Sequence, residues 1–126
     1  MKGQYKLKRQ IAGRGIFASV SLEVEESEKF DVIVGDGVFC LQKCMAAVHT
    51  GIWYAKQMMR MEGHAIKNVR VTVTDIGYLT TDTTPLAMVF ASAMAFYEAL
   101  GLKPRSLPRI EPGGKAFIFP FREDYE

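Results

Sequence analysis

No apolar run in this chain approaches the roughly 18 to 20 residues that a membrane span requires. Cysteine is scarce, with two in 126 residues, which is too few for a disulfide framework. The opening residues Met1 to Lys8 lack the apolar stretch of a secretion signal. These absences point to a reducing, cytoplasmic setting and to no membrane partner. Histidine is equally rare: His49 and His64 are the only two. With Cys40 and Cys44 they make four potential zinc ligands, but only the cysteines lie close together, and a zinc site usually needs a second close pair. The thiols therefore read as buried or idle, and neither a metal nor a cofactor is expected. Gly13-Arg14-Gly15 is too short for either glycine-rich nucleotide fingerprint, and it joins strand to strand rather than strand to helix. No pair of carboxylates stands out as an acid-base couple. By residue types alone the chain shows no active site and reads as a non-enzyme.

What is present describes one ordinary domain. The 126 residues weigh 14.1 kDa, and 48% are hydrophobic, enough for a core without staples. The formal charge of +2 is too small to advertise nucleic acid. The charges are nevertheless segregated. Residues 1 to 22 carry Lys2, Lys6, Lys8, Arg9 and Arg14 with no acid, and residues 23 to 36 carry six acids against Lys29. Two readings stay open: the solvated faces of one hairpin, or a functional basic patch.

Periodicity supplies the elements. Ile16, Ala18, Val20, Leu22 and Val24 alternate with polar residues, the mark of a half-buried strand. Gln4 to Gln10 can pair with it across a loop at 10 to 15. Phe30, Val32 and Val34 predict a third strand, stopped by Gly35-Asp36-Gly37. From Val38 to Glu62 the period becomes helical, with Leu41, Met45, Val48, Ile52, Ala55 and Met59 on one face and Gly63 as the stop. Trp53 and the methionines read as core rather than as a ligand box. Val69, Val71 and Val73 predict a fourth strand. Thr84-Pro85 opens a second helix, with an apolar stripe at Leu86, Val89, Phe90, Ala93, Phe96, Tyr97 and Leu100, and Gly101 ends it. Residues 102 to 114 read as a linker, and Lys115 to Phe119 as an isolated strand. The order predicts a two-layer α+β sandwich: a four-stranded sheet with two helices on one face. Parallel pairing of the third and fourth strands would gather the loop at 10 to 15, the turn at 35 to 37 and the loop at 76 to 84 at one end.

Several stretches in this order resemble domain IV of elongation factor G-like translational GTPases. These are Gln4 to Gly15 running into Leu22-Glu23-Val24-Glu25, then Val34-Gly35-Asp36-Gly37-Val38, Ala47 to Ile52, Gly63-His64, Val69 to Val73, Tyr78 with Asp82-Thr83-Thr84, Leu86 to Met88, and Ala91 to Phe96. Ser106 to Tyr125 resembles the passage into domain V, so the expected division is 1–101 for the domain and 102–126 for a linker and extra strand. Asp82-Thr83-Thr84-Pro85 resembles the ribosomal-protection proteins of tetracycline resistance more than the housekeeping elongation factors.

The resemblance implies a left-handed strand-helix-strand arrangement, as in the second domain of a small-subunit ribosomal protein. It also implies a non-catalytic arm that reaches the RNA of the small ribosomal subunit at the decoding site. GTPase domains would be present only in a longer chain. The RNA-facing tip would comprise Gly13, Arg14, Gly15, Ile16, Tyr78, Leu79, Asp82 and Thr83, supported by Lys6, Lys8 and Arg9. Elongation factors place a histidine where Leu79 stands, and Ile16-Phe17 replaces their usual Gln-Tyr, giving an apolar tip of Ile16, Phe17, Ile76 and Leu79. The alternative function is a small metabolite-binding protein or enzyme on the same fold, as in kinases of this architecture, whose phosphate loop is absent here.

Overall fold

The computed structural model describes residues 1–11, 13–39, 42–64, 68–111 and 116–120. Expectations resting on Ala12, Cys40, Leu41, Pro112 to Lys115 and Tyr125 lie outside the described residues. The elements are β1 (Lys2–Ile11), β2 (Arg14–Glu26), β3 (Asp31–Val34), α1 (Gln42–Met61), β4 (Val69–Gly77), α2 (Pro85–Leu100), β5 (Arg109–Ile110) and β6 (Phe117–Ile118). The main sheet runs β1-β2-β4-β3; β2 pairs antiparallel with β1 and β4, and β3 parallel with β4. This is the expected mixed four-stranded sheet with both helices.

The first helix starts later than its periodicity predicts, with Val38 and Phe39 ahead of it. Gly37 at φ 78° and a bond from the Val38 amide to the Gly35 carbonyl (3.3 Å) make a turn there instead. Val48, Ile52, Ala55 and Met59 are buried as expected, but Trp53 is 54% exposed. It follows Ile52 by one residue, about 100° around the helix, and so misses the buried stripe.

α2 is buried on nearly every side because it packs against β1, β2 and α1 together. Its ends are set locally. The Thr84 hydroxyl accepts from the Ala87 amide (3.1 Å), Pro85 takes the first turn, and Gly101 closes the helix in the left-handed region. Leu86 departs from the expected stripe and is 52% exposed, although Ala87 and Met88, which follow it in the first turn, are fully buried.

β4 extends past the alternation that announces it. The register shifts between Ser21 and Leu22, which face Asp75 and Val73 respectively, so Thr74 is an extra residue on β4. Such a bulge inverts the inward phase. Val69, Val71 and Val73 point to the core before it, and Ile76 and Tyr78 pack against the core after it.

The carboxy-terminal segment departs most from expectation. The strand at Phe117 is not isolated: β6 pairs antiparallel with β5, and the Glu111 amide reaches the Ala116 carbonyl (2.9 Å). Residues 102 to 108 do not run free either. Pro104 and Pro108 are buried, and the Arg105 amide bonds the Glu62 carboxylate at 2.9 Å. A file of rings fastens the hairpin to the helices. Tyr5 meets Phe90 (5.7 Å between centroids), Phe90 meets Phe117 (5.5 Å), Phe117 meets Phe119 (6.4 Å) and Phe119 meets Tyr54 (5.4 Å). These spacings suit attractive ring pairs. The Tyr54 hydroxyl also donates to the Pro120 carbonyl.

The Tyr97 hydroxyl is buried with no hydrogen-bond partner among the described residues. Burial, followed by Tyr54 and Glu62, pushes its pKa well above the ordinary phenol value of 10.0. Tyr97→Phe removes an unpaired polar atom and is expected to raise stability by about 1 kcal/mol. It should also flatten the alkaline limb. Above pH ~10 the unfolded tyrosine releases its proton and the folded one does not, so the unfolded state binds fewer protons and stability falls with pH. Urea titrations at pH 7 and pH 11 check both signs; a less stable variant at pH 7 refutes the first.

Candidate functional site

The β1–β2 register decides what the basic amino-terminal run can do. Lys2 lies across from Glu23, whereas Lys6 faces Ser19, Lys8 faces Phe17 and Arg9 faces Ile16. The acids of the hairpin therefore neutralise its far end and leave the turn end basic. On the open sheet face the far end also carries Arg70 bonded to Asp31 (3.3 Å). Charge that nearly cancels over the whole chain is thus separated along its length.

Strand pairing continues to Ile11 opposite Arg14, leaving only residues 12 and 13 between the paired ends. Gly13 holds φ 78°, a conformation that side chains resist. Arg14 is consequently exposed on a paired strand end rather than carried on a loose loop. Alternation puts Arg9, Arg14 and Ile16 on the helix side of the hairpin and Lys6 and Lys8 on its open face. The basic residues are therefore divided between two faces.

The second loop is laced to the first. The Phe17 amide donates to the Asp82 carbonyl (3.1 Å), and the Thr83 hydroxyl donates to the Phe17 carbonyl (2.7 Å) while accepting from the Leu79 amide (2.9 Å). The Asp82 and Thr83 amides both return to the Leu79 carbonyl, at 3.1 and 2.9 Å. Asp82 turns its carboxylate toward Gly15, where an added Cβ would stand 2.5 Å from an Asp82 oxygen. Thr81 donates to the same carboxylate (3.1 Å).

Of the sequence-expected tip residues, Gly13, Arg14, Gly15, Ile16 and Asp82 come together. Thr83 is half-buried and spent on the bracket. Tyr78 does not join them, because the β4 bulge turns it toward the core. Leu79 is 47% exposed. Ile16, Phe17 and Ile76 are half-buried, and Phe17 packs across Gly77.

An open cleft of about 460 Å³ lies beside the bracket, with Arg14, Ile16 and Asp82 among its walls. Two further walls went unrecognised in the sequence, Leu86 and Phe117. A first-turn leucine beyond a helix cap was a faint signal for one. Nothing local marks the other, since Phe117 arrives only when the terminal hairpin docks.

Burial pushes the Cys44 thiol up from its ordinary value, away from the reactive thiolate. Among the described residues no three His, Cys, Asp or Glu side chains gather where they could hold a metal, and no helix is long and apolar enough to cross a membrane.

Comparison with known proteins places this geometry. Elongation factor G of Thermotoga petrophila and of Thermotoga sp. strain RQ2 each share 32% identity over 98 residues, or 73% of this chain and 14% of theirs. The chain thus spans a small part of those relatives' length. A Thermus thermophilus protein of known crystal structure matches with a TM-score of 0.65 at 27% identity, over 77% of this chain and 15% of that one. The family model for elongation factor G, domain IV matches residues 1–102, and the chain belongs to that family.

Proposed function

We propose that this domain is a non-catalytic, cytoplasmic arm of a translational GTPase-like factor that binds the RNA of the small ribosomal subunit at the decoding site. The observation that carries the reading is the charge polarity of the β1–β2 hairpin, basic at its turn end and acidic at the other. Residues 1–101 are the arm, and 102–126 are the passage toward a following domain, of which Arg109–Ile110 and Phe117–Ile118 pair here as a hairpin. Arg14, Arg9 and Lys8 meet phosphates, with Lys6 behind them. The Gly13 and Gly15 backbone and the Ile16 and Leu79 side chains follow the RNA surface. Asp82 and Thr83 hold the two loops in register, and Tyr78 supports them from the core side. Structured RNA is bound mainly through phosphate contacts and shape, which suits a rigid basic end.

Thr84-Pro85 at the start of α2, and Leu79 where elongation factors carry histidine, favour the ribosomal-protection type over the translocase type. Filter binding of the chain to small subunits tests both levels. Arg14→Ala is expected to weaken binding roughly tenfold, one charge-assisted contact, and to lower the slope of log affinity on log salt by about one. Salt-insensitive binding that ignores this change overturns the RNA reading. Binding unaffected by saturating tetracycline overturns the protection type.

A further inference from the structure

The cleft beside the bracket joins tip residues to two walls, Leu86 and Phe117, that the tip reading does not use. Arg14 supplies a cation on one side, the Asp82 carboxylate an acceptor, and Ile16, Leu86 and Phe117 an apolar floor. At about 460 Å³ it is of the size that receives a small planar ligand. Phe117 is held in place before any ligand arrives, with Phe90 against it at 5.5 Å and Phe119 at 6.4 Å. It also lies beyond residues 1–102, the extent of the family match, so this wall belongs to the chain's own carboxy-terminal hairpin.

A ligand that satisfies all three features carries an anion, hydrogen-bond donors and a flat apolar face in one unit. A nucleotide is such a unit. Its phosphate answers Arg14, its base stacks on Phe117, and its donor edge answers Asp82. The carboxylate discriminates between bases. Guanine presents two adjacent donors, a ring N–H and an amino group, which match the two oxygens of a carboxylate. Uracil presents carbonyl oxygens on both sides of its one donor and would face Asp82 with like partial charge. The bond from Thr81 to Asp82 (3.1 Å) leaves acceptor capacity over, since an ionised carboxylate has about four lone-pair positions.

We propose that this cleft receives the base of one unpaired guanine nucleotide of RNA, stacked on Phe117 and read by Asp82. The inference rests on the tip's binding RNA and adds to it a base preference, which phosphate contacts alone cannot supply.

The test uses the full chain and three short RNA hairpins that differ at one bulged position: guanine, uracil or an abasic site. Fluorescence anisotropy is expected to show the guanine hairpin binding about tenfold tighter than the abasic one, in line with the worth of one stacked base, and about tenfold tighter than the uracil one, in line with one bidentate base contact. Phe117→Leu should shrink the advantage of guanine over the abasic site and leave its advantage over uracil, which Asp82 sets, whereas Arg14→Ala should weaken all three hairpins alike. Because the abasic arm alters only the RNA, the comparison does not depend on the stability of any variant. Equal, salt-sensitive binding of the three hairpins overturns the cleft assignment and leaves the tip reading standing. Absence of binding to all three overturns both. An advantage of guanine over the abasic site that is undiminished in Phe117→Leu overturns the stacking surface. Displacement of the guanine hairpin by equimolar GMP overturns the RNA source, assigning the cleft to a free nucleotide.

Discussion

Gly51→Val is expected to destabilise the domain by about 3 kcal/mol or more, the upper end of the cost of overpacking a core. Gly51 sits mid-α1 where α2 crosses it. A Cβ there would stand 2.4 Å from the Val89 carbonyl oxygen, 2.9 Å from the Ser92 Cβ and 3.2 Å from the Ala93 amide nitrogen. Two of these are backbone atoms of a helix already pressed on the sheet, so relief requires moving the helices apart. The sharper version is Gly51→Ala. Helix propensity alone assigns it a gain of about 1 kcal/mol, while the crossing assigns a loss. Urea denaturation decides the sign, and a more stable alanine variant would show that the helices do not approach this closely.

Thr83→Val should cost about 2 kcal/mol and weaken RNA binding with it. Valine keeps the shape of threonine but leaves the Phe17 carbonyl and the Leu79 amide without the hydroxyl that now serves both, at 2.7 and 2.9 Å. Stranding partly buried polar groups carries a penalty of ~1 to 3 kcal/mol. Thr83→Ser retains the hydroxyl and should restore both properties. Affinity for small subunits that is unchanged in the valine variant, beside reduced stability, would mean that the bracket serves only the fold. Direct RNA contact by Thr83 would instead give a binding loss at full stability.

Much of the fold was legible because its signals are local. The cap at Thr84, the proline after it and Gly101 fix both ends of α2, since each acts on backbone groups within one turn. The alternation from Ile16 to Val24 names the buried face of β2. The signal failed where long-range pairing intervened. The bulge between Ser21 and Leu22 inverts the phase of β4, so alternation ended at Thr74 although the strand continues to Gly77. After that inversion Tyr78 packs partly buried against the core. Trp53 and Leu86 read as core by residue type, but whether a large apolar side chain is covered depends on what packs beside it. The basic run left two readings open because its partners sit on another strand. Only the register separates Lys2, opposed by Glu23, from Lys8, opposed by Phe17.

The sequence by itself determined the layered α+β class, the order of elements through α2, the two loops that meet at one end, and the family, because period, caps and motif order are properties of neighbours along the chain. Tertiary structure decided the rest. It set which charges remain unopposed, turned Asp82 and Thr83 into a bracket between loops, and paired Phe117–Ile118 with Arg109–Ile110 so that Phe117 forms a wall of the cleft. The near-zero charge of the whole chain carried no information about any of this, since a sum discards position. A strand register restores position, and with it the separation of basic and acidic ends that the proposed function needs.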